Sequence, residues 1–275
     1  MNDFSKRTIS GVCFVGIMLA SLLLNQYLFG AVMLFALVVM MWEFLRMTCG
    51  TEYRYSQILS IVAGATMFIM TFFHASGMLD ARFLVLSLLP FFILMIDSLY
   101  VKDKSRFAKF ACLYTAILYI AVPWTMLSYA AFTSGAFSGK LLICFFSIVW
   151  GSDVGAYIFG VTLGQKYGKK LFPSVSPKKS WIGFWGGLVT AITVAVIFYF
   201  TRLFDYSLIH CIALAVILNV TGVYGDLIAS QWKRHYEVKD SGYIIPGHGG
   251  LLDRFDSALL AIPSGVMYLI IMNLV

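Results

Sequence analysis

The residues with the clearest chemical potential lie near the C-terminal end of the chain. Asp226, Ser230 and Lys233 are spaced so that a helix would present all three on one face. Asp253 and Asp256 are three residues apart and would face the same point at the start of a second helix. Carboxylates that converge from two helix ends form a hard oxygen site of the kind that magnesium prefers. We therefore predict that Asp226, Asp253 and Asp256 coordinate a metal ion.

A turn-rich segment separates these two groups and reads PGHGG over residues 246–250. Glycine has no side chain, so backbone amides in such a segment can approach an anion closely. Positive charge of the kind that holds phosphate groups surrounds the segment. It is supplied by Lys233, Arg234, Lys239 and Arg254. We predict a site for a triphosphate and a second phosphate group, with His248 as either a phosphate donor or a residue of the turn.

Each part of this pattern also has a simpler interpretation. Asp253 could cap a helix, with Asp256 in the first turn of that helix. Lys233 and Arg234 could anchor the chain at a membrane surface. Asp226 is harder to explain in this way, since a carboxylate among apolar residues near a membrane helix end is costly unless a cation compensates it. The combination of carboxylates, basic residues and a glycine turn in one segment favours a functional site.

The composition identifies the environment in which this site must fold. Of the 275 residues, 60% are hydrophobic and 12% are charged, and that charged share is about half that of an ordinary globular domain. Apolar surface on this scale requires lipid as its solvent. The net charge of +7 does not indicate nucleic-acid binding, because the basic residues lie in short gaps between apolar runs. The five cysteines are widely spaced and are expected to be reduced packing residues.

Apolar windows of about 20 residues recur along the chain, so we predict an all-α, polytopic membrane protein with about nine transmembrane helices. The predicted spans are residues 8–25, 27–46, 56–76, 80–100, 108–132, 140–163, 181–202, 206–231 and 255–274. If the N-terminus is cytoplasmic, only Arg82, Lys140 and Arg202 of the 20 lysines and arginines lie on the outer side. This bias puts the longest polar loops, at about 164–180 and 232–254, in the cytoplasm.

The organisation along the chain is simple. No internal repeat and no soluble domain is visible, so residues 1–275 are predicted to form a single membrane domain. Residues 1–139 supply the first five helices, and residues 140–275 supply the catalytic helices and cytoplasmic loops. Glu43 and Asp97 lie near predicted helix ends, and both are expected at the membrane interface.

The polar C-terminal segment resembles the signature of the phosphatidate cytidylyltransferases, also called CDP-diacylglycerol synthases. The residues that match it in order and spacing are Ser230, Lys233, Arg234, Lys239, Asp240, Gly242, Ile245, Pro246, His248, Gly249, Gly250, Asp253, Arg254 and Asp256. Trp232 departs from the pattern, where a smaller aliphatic residue or phenylalanine is usual, and only local repacking is expected from this change. The signature is long and specific, so a chance match is not expected.

A second segment, residues 176–187, is similar to the family's SPKKTWEG motif. Ser176 and Lys179 match it, Ser180 stands in place of threonine, and Ile182 stands in place of an acidic residue. The hydroxyl group is therefore kept, whereas any role of the acidic group is absent. Because the sequence around Asp153 also looks like the family's sixth helix, the resemblance covers the C-terminal half of the chain well. We expect Asp153 to belong to the active-site cavity or to a structural ion pair.

The resemblance implies a reaction in which the phosphate of phosphatidic acid attacks the α-phosphorus of CTP and releases pyrophosphate. A phosphate monoester has a second pKa of about 6, so the nucleophile is largely ionised at neutral pH and needs no strong general base. The difficulty is the approach of two anions, which cations must screen. The expected cofactor is Mg²⁺, with a second cation left open. The expected partners are CTP, phosphatidic acid and the lipid bilayer, in a bacterial-type inner membrane.

The resemblance and the residue types together give a set of expected site residues. The expected catalytic residues are Asp226, Lys233, Arg234, Lys239, Asp240, His248, Asp253, Arg254 and Asp256. The expected substrate-binding residues are Ser176, Lys179, Ser180, Ser230, Gly249, Gly250 and Asp153.

The sequence also allows other interpretations. A transporter could use intramembrane carboxylates, but it would show inverted repeats and polar residues in both halves of the chain. A related membrane enzyme could use CTP with a different lipid phosphate or a polyprenol. Residues 164–169 read GQKYGK, which is too short for a P-loop and follows a membrane helix rather than a strand. The GxxxG spacing of Gly183 and Gly187 suits contacts within one chain as well as a homodimer.

Overall fold

The computed structural model describes residues 3–101, 107–245, 247 and 249–275, with side chains from residue 8 onward. The chain divides into two compact units. The first unit comprises residues 1–138 and 236–255, and the second comprises residues 139–235 and 256–275.

Helices dominate both units, and their bounds follow the apolar runs of the sequence. The helices up to the middle of the chain are α1 (Asp3–Leu23), α2 (Gln26–Cys49), α3 (Arg54–Ala75), α4 (Leu88–Asp97), α5 (Ala111–Ala116) and α6 (Val122–Ala131). Then follow α7 (Lys140–Phe159), α8 (Gln165–Tyr167), strands β1 (Lys170–Phe172) and β2 (Ser176–Ser180), and helices α9 (Trp181–Phe200), α10 (Leu208–His235), α11 (Leu252–Phe255) and α12 (Ala258–Ile271). Short 3₁₀ segments at Ala81–Ser87, Ser98–Tyr100 and Phe107–Phe110 and π-helical turns at Ile117–Ala121 and Gly160–Gly164 extend these helices.

The lengths and composition of these helices match a lipid bilayer. Among the described residues, eight helical stretches of 20 to 28 residues are long and apolar enough to cross a membrane. Twenty helical residues span about 30 Å, which is the thickness of the hydrocarbon core. A further apolar helix, Thr8–Leu23, is shorter. The prediction of an all-α, polytopic membrane protein with about nine helices is confirmed.

The core of the first unit is aromatic and tightly packed. Trp124 on α6 is fully buried, and its indole Nε1 donates a hydrogen bond of 2.8 Å to the carbonyl oxygen of Met33 on α2. The Trp124 ring also packs edge-on against Phe255 on α11, with 4.9 Å between ring centroids. Because a buried indole N–H must find an acceptor, this bond fixes α6 against α2. The short helix α11 is therefore held by the same core as the long helices.

The second unit is organised around α10, which packs against α7, α9 and α12. Ser152 on α7 donates a 2.6 Å hydrogen bond to Oδ1 of Asn219 on α10, and both side chains are buried. Gly187 on α9 lies against Ser152, so part of the predicted GxxxG spacing serves contacts inside this unit. The predicted homodimer is not tested by this contact.

One polar loop forms a structure that the sequence pattern did not indicate. Strands β1 and β2 pair in an antiparallel hairpin, in which Lys170 lies opposite Ser180 and Phe172 lies opposite Ser176. The turn closes with a hydrogen bond of 3.2 Å from the amide of Val175 to the carbonyl of Phe172. The hairpin ends at the start of α9 and so fixes the direction in which the loop enters that helix.

The last membrane helix also differs from its predicted form. We expected one continuous span over residues 255–274, with Asp253 and Asp256 at the start of the helix. Instead α11 ends at Phe255, residues 256–257 form a turn, and α12 begins at Ala258. The amide of Ser257 donates a 2.8 Å hydrogen bond to Oδ1 of Asp256, which explains the turn, because that amide is taken by a side chain rather than by a helical carbonyl.

Candidate active site

In the second unit, α10 presents its polar face as the spacing predicts. The hydroxyl of Ser230 donates a 3.1 Å hydrogen bond to Oδ1 of Asp226, one helical turn away. The other carboxylate oxygen of Asp226, Oδ2, lies 2.5 Å from Nζ of Lys179 on β2. The hairpin therefore delivers a lysine directly to the carboxylate of α10, and both side chains stay partly open, at 27% and 29% exposure.

A second ion pair lies on the same helix face. Nζ of Lys233 is 3.8 Å from Oδ2 of Asp256, and both side chains are only 13% exposed. Asp226 and Asp153 lie near enough to act electrostatically on Asp256. Like charges at short range repel unless cations intervene. Among the described residues, Lys179 and Lys233 supply positive charge that offsets this repulsion.

The close approach of α10 to the 256–257 turn depends on Gly225. A Cβ atom at Gly225 would lie 2.6 Å from the carbonyl oxygen of Asp256, which is closer than atoms can pack. Only glycine permits this contact, since it has no side chain. Gly225 precedes Asp226, so the glycine lets the helix bring the first carboxylate towards the second.

In the first unit, Asp253 binds the segment that precedes it. Its Oδ2 accepts hydrogen bonds from the amide of Ser241 (2.8 Å), the hydroxyl of Ser241 (3.0 Å) and the amide of Gly250 (3.0 Å). Between these donors, Gly249 has a φ of 82°, and its carbonyl accepts a 3.1 Å bond from the amide of Ile245. Asp253 thus connects Ser241 to Gly250, and we call the described residues of this stretch, 241–245, 247, 249 and 250, the signature loop.

Glu43 is the main residue that the sequence interpretation misjudged. We expected it at the membrane interface, but it is fully buried in α2. Its Oε1 accepts a 3.0 Å hydrogen bond from the amide of Leu251, and its Oε2 accepts a 2.8 Å bond from the amide of Leu252. The signal available in the sequence was an acidic residue inside an apolar helix, which is costly unless it is specifically bonded. Asp97, by contrast, lies at the end of α4 and accepts a 2.5 Å bond from the hydroxyl of Ser56.

The remaining expected residues occupy varied positions. Ser180 is buried, and its Oγ accepts a 3.2 Å hydrogen bond from the amide of Gly183, so it caps the first turn of α9. Ser176 begins β2 and is partly exposed. The exposed members of the expected set are Asp153, Arg234, Lys239, Asp240 and Arg254. His248 lies outside the described residues.

The acidic side chains of the described residues bear on the predicted magnesium site. Among the described residues, no three His, Cys, Asp or Glu side chains are grouped so that they could hold a metal ion. Asp226 and Asp256 nevertheless lie together in the second unit, and magnesium is commonly bound by one or two carboxylates plus substrate phosphates and water. The residues present therefore fit an ion that arrives with a phosphate substrate. Asp253 belongs to the first unit, and its predicted role in metal binding stays a prediction.

A cavity of about 330 Å³ lies beside the signature loop in the first unit. Its walls come from α1, from α2 and from the loop, and they include Ile17, Phe35, Ala36, Ile245 and Leu251. This volume is at the lower end of the roughly 300–1,000 Å³ of small-molecule sites. Because the lining is almost wholly apolar, the cavity suits hydrocarbon rather than a phosphate group.

Comparisons with known proteins agree with these features. The model of the cytidylyltransferase family matches residues 5–272. A phosphatidate cytidylyltransferase from Bacillus subtilis strain 168 is 33% identical over 273 residues, which cover 96% of both chains. Proteins of the same name from Staphylococcus haemolyticus and from Staphylococcus aureus strain COL are 37% and 36% identical over 172 residues. These matches cover 62% of this chain and 64% of the staphylococcal proteins.

Proposed function

The chain belongs to the cytidylyltransferase family, and we propose that it acts as a phosphatidate cytidylyltransferase. In this reaction CTP and phosphatidic acid form CDP-diacylglycerol and pyrophosphate. The observation that carries the proposal is the match, over nearly its whole length, to a protein named for this activity. The lysine–carboxylate pairs beside α10 support it, because the reaction requires positively charged groups that can bind phosphates.

The chemistry of the bond change fixes what the protein must supply. A phosphate oxygen of phosphatidic acid forms a bond to the α-phosphorus of CTP, and the bond from that phosphorus to the bridging oxygen of pyrophosphate breaks. The lipid phosphate has a second pKa of about 6, so it is largely a dianion at neutral pH and needs no proton acceptor. The barrier comes from the mutual repulsion of two anions and from their alignment. The enzyme therefore has to provide positive charge and orientation.

Lys179 and Lys233 are the side chains best suited to provide that charge. Each ammonium group lies beside one carboxylate, Lys179 on Asp226 and Lys233 on Asp256. A phosphate oxygen that enters this region competes with the carboxylate for the lysine, and charge-assisted bonds to phosphate are strong. We propose that the lysines shift towards the CTP phosphates when substrate binds, which leaves the carboxylate oxygens available for a metal ion.

Magnesium is the cation that these oxygens would hold. We propose that Asp226 and Asp256 bind it through its complex with the CTP phosphates, as the hard oxygen donors of the pair favour. Such an ion would neutralise part of the negative charge that develops on the leaving pyrophosphate. Ser230 would keep Asp226 oriented through its hydrogen bond to Oδ1. The second cation left open by the sequence remains a proposal without a specific set of ligands.

The lipid substrate explains why the enzyme is built in a membrane. Phosphatidic acid is held in a bilayer by its acyl chains, and eight helices among the described residues are long and apolar enough to cross one. We propose that one acyl chain enters the apolar cavity beside the signature loop, because hydrocarbon is the ligand class that its lining accepts. The bias of basic residues towards one side supports an inner-membrane location with the polar loops in the cytoplasm, where CTP is found.

The test uses purified protein in detergent micelles or vesicles, with CTP labelled in the cytidine ring and with phosphatidic acid. We expect the label to enter chloroform-soluble lipid at a rate that depends on phosphatidic acid. Replacing phosphatidic acid by a polyprenyl phosphate in a parallel reaction identifies the acceptor. Labelled product only with the polyprenyl phosphate would refute the proposed substrate, and ion flux in vesicles without any labelled lipid would support the transporter interpretation.

A further inference from the structure

We infer that Glu43 is a positioning residue, which fixes the signature loop and thereby the orientation of Asp253 and Arg254. This inference deepens the proposed function and rests on it. Neither the signature nor the second motif includes Glu43, because it lies about 200 residues earlier, in α2. Only the folded structure shows that Glu43 bonds to the backbone next to the signature loop.

The hydrogen bonds of Glu43 are directed at the segment that enters α11. Oε1 and Oε2 accept from the consecutive amides of Leu251 and Leu252, at 3.0 and 2.8 Å. Asp253 and Arg254 follow at once in the chain. Two bonds from one rigid carboxylate to adjacent amides fix the peptide planes as well as their distance, so they determine the direction in which the next side chains leave the backbone.

Ser241 links Glu43 to Asp253 by a second route. Its hydroxyl lies 3.0 Å from Oδ2 of Asp253 and 3.4 Å from Oε2 of Glu43, and its amide lies 2.8 Å from the same oxygen of Asp253. Both carboxylates therefore lie within hydrogen-bond distance of one hydroxyl group of the signature loop. A change at Glu43 is transmitted to Asp253 through the backbone and through this hydroxyl.

The shape of the loop around Glu43 shows that the contact is specific. A Cβ atom at Gly250 would lie 2.7 Å from Oε2 of Glu43, and a Cβ atom at Gly242 would collide with its Oε1. The loop approaches the carboxylate this closely because Gly242 and Gly250 have no side chain. The glycines of the signature are thus explained in part by the glutamate that they enclose.

The burial of Glu43 gives a reason for the arrangement beyond folding. Burying a carboxylate is costly unless it is hydrogen-bonded, and the buried amides of Leu251 and Leu252 would lose their acceptor if an apolar residue stood at this position of α2. A buried polar group whose hydrogen bonds are satisfied in one arrangement favours that arrangement of the groups that it binds. Here those groups are the backbone amides immediately before Asp253 and Arg254, two of the catalytic residues expected from the sequence.

The experiment compares Glu43→Gln with Glu43→Asp and with the control Glu52→Gln. Glutamine keeps one acceptor oxygen but turns an NH₂ group towards the other amide, so one of the two backbone bonds is lost. Aspartate keeps both oxygens on a shorter side chain. Glu52 lies in the same unit, where it pairs with Lys109 at 3.1 Å. Glu52→Gln therefore makes the same chemical change at another position of that unit.

We expect Glu43→Gln to lower kcat/KM for CTP on the order of 10- to 100-fold, the range found when a group that orients active-site ligands is removed. Glu43→Asp should recover part of this loss, and Glu52→Gln should match the wild type. Hydrogen exchange measured by mass spectrometry should accelerate in residues 241–255 of Glu43→Gln, with α3 and α6 still protected.

Unchanged exchange in residues 241–255 of Glu43→Gln would overturn the inference, whatever the activity. A uniform rise in exchange across the first unit, with no recovery in Glu43→Asp, would also overturn it, because that result indicates a general folding role. Failure of the wild type to convert labelled CTP into lipid would instead refute the proposed function. The two failures are therefore separated, since hydrogen exchange does not depend on activity.

Discussion

The replacement Asp226→Asn tests the proposed site with little risk to the fold. The asparagine oxygen can still accept the hydrogen bond from Ser230, whereas its NH₂ group would face the ammonium of Lys179 and end the ion pair. Because both members of that pair are more than a quarter exposed, we expect a loss of only about 1 kcal/mol of stability. A folded membrane domain tolerates such a loss, since its total stability is of the order of 5–15 kcal/mol.

The expected effect on catalysis is much larger. Removing one preorganised electrostatic group from an active site lowers kcat by about 10²- to 10³-fold, which corresponds to roughly 3–4 kcal/mol. Because the expected loss of stability is much smaller than the expected loss of catalysis, a slow Asp226→Asn variant reports on the reaction rather than on folding. Asp256→Asn is less clean, because it would leave the largely buried Lys233 without its carboxylate and could weaken the fold itself.

The assay follows label from CTP into lipid for the wild type and for Asp226→Asn, with Asp205→Asn as a matched control. Asp205 is an exposed residue of the same unit, between α9 and α10, and its replacement should leave the rate unchanged. Thermal unfolding in detergent verifies that all three proteins are folded. A rate for Asp226→Asn within about threefold of the wild type would refute the reasoning, because a group at the reacting phosphates cannot be so dispensable.

Three further predictions concern the metal, the lipid phosphate and the acyl chain. A chelator should abolish turnover and Mg²⁺ should restore it, with a higher Mg²⁺ requirement in Asp226→Asn; full turnover in the chelator would exclude the ion. The rate at saturating CTP should be constant above about pH 7 and fall below about pH 6, as the lipid phosphate gains a proton and becomes a weaker nucleophile; a rate that rises on acidification would contradict this. Ala36→Leu, which fills part of the apolar cavity, should slow turnover of long-chain phosphatidic acid more than of short-chain phosphatidic acid, and equal slowing would count against the cavity as an acyl-chain site.

Some features of this protein could be predicted from the sequence because they depend on local spacing. The long helices follow from uninterrupted apolar runs, as in α2 and α9, and the pairing of Asp226 with Ser230 follows from the helical repeat. The Lys179–Asp226 pair could not be predicted in this way. It depends on the β1–β2 hairpin, which forms between two helices in a segment with no strand-like alternation.

Other features could not be predicted because tertiary contacts override local rules. Glu43 lies near the end of an apolar run, where a position at the membrane interface is the ordinary expectation. It is instead buried and accepts hydrogen bonds from the backbone amides of Leu251 and Leu252, far along the chain. Asp256 lies in a turn rather than in a helix because its own side chain bonds to the amide of Ser257. Both residues are carboxylates whose surroundings, rather than their spacing, determine what they do.

The most direct test of the account uses CTP labelled with ³²P at either the α- or the γ-phosphate. We predict that the wild type transfers the α-label to chloroform-soluble lipid and that Asp226→Asn transfers almost none. The γ-label should stay in the aqueous phase as pyrophosphate. Transfer of the γ-label to lipid, or wild-type incorporation of the α-label by Asp226→Asn, would contradict the central claim that the carboxylate of α10 serves attack on the α-phosphorus.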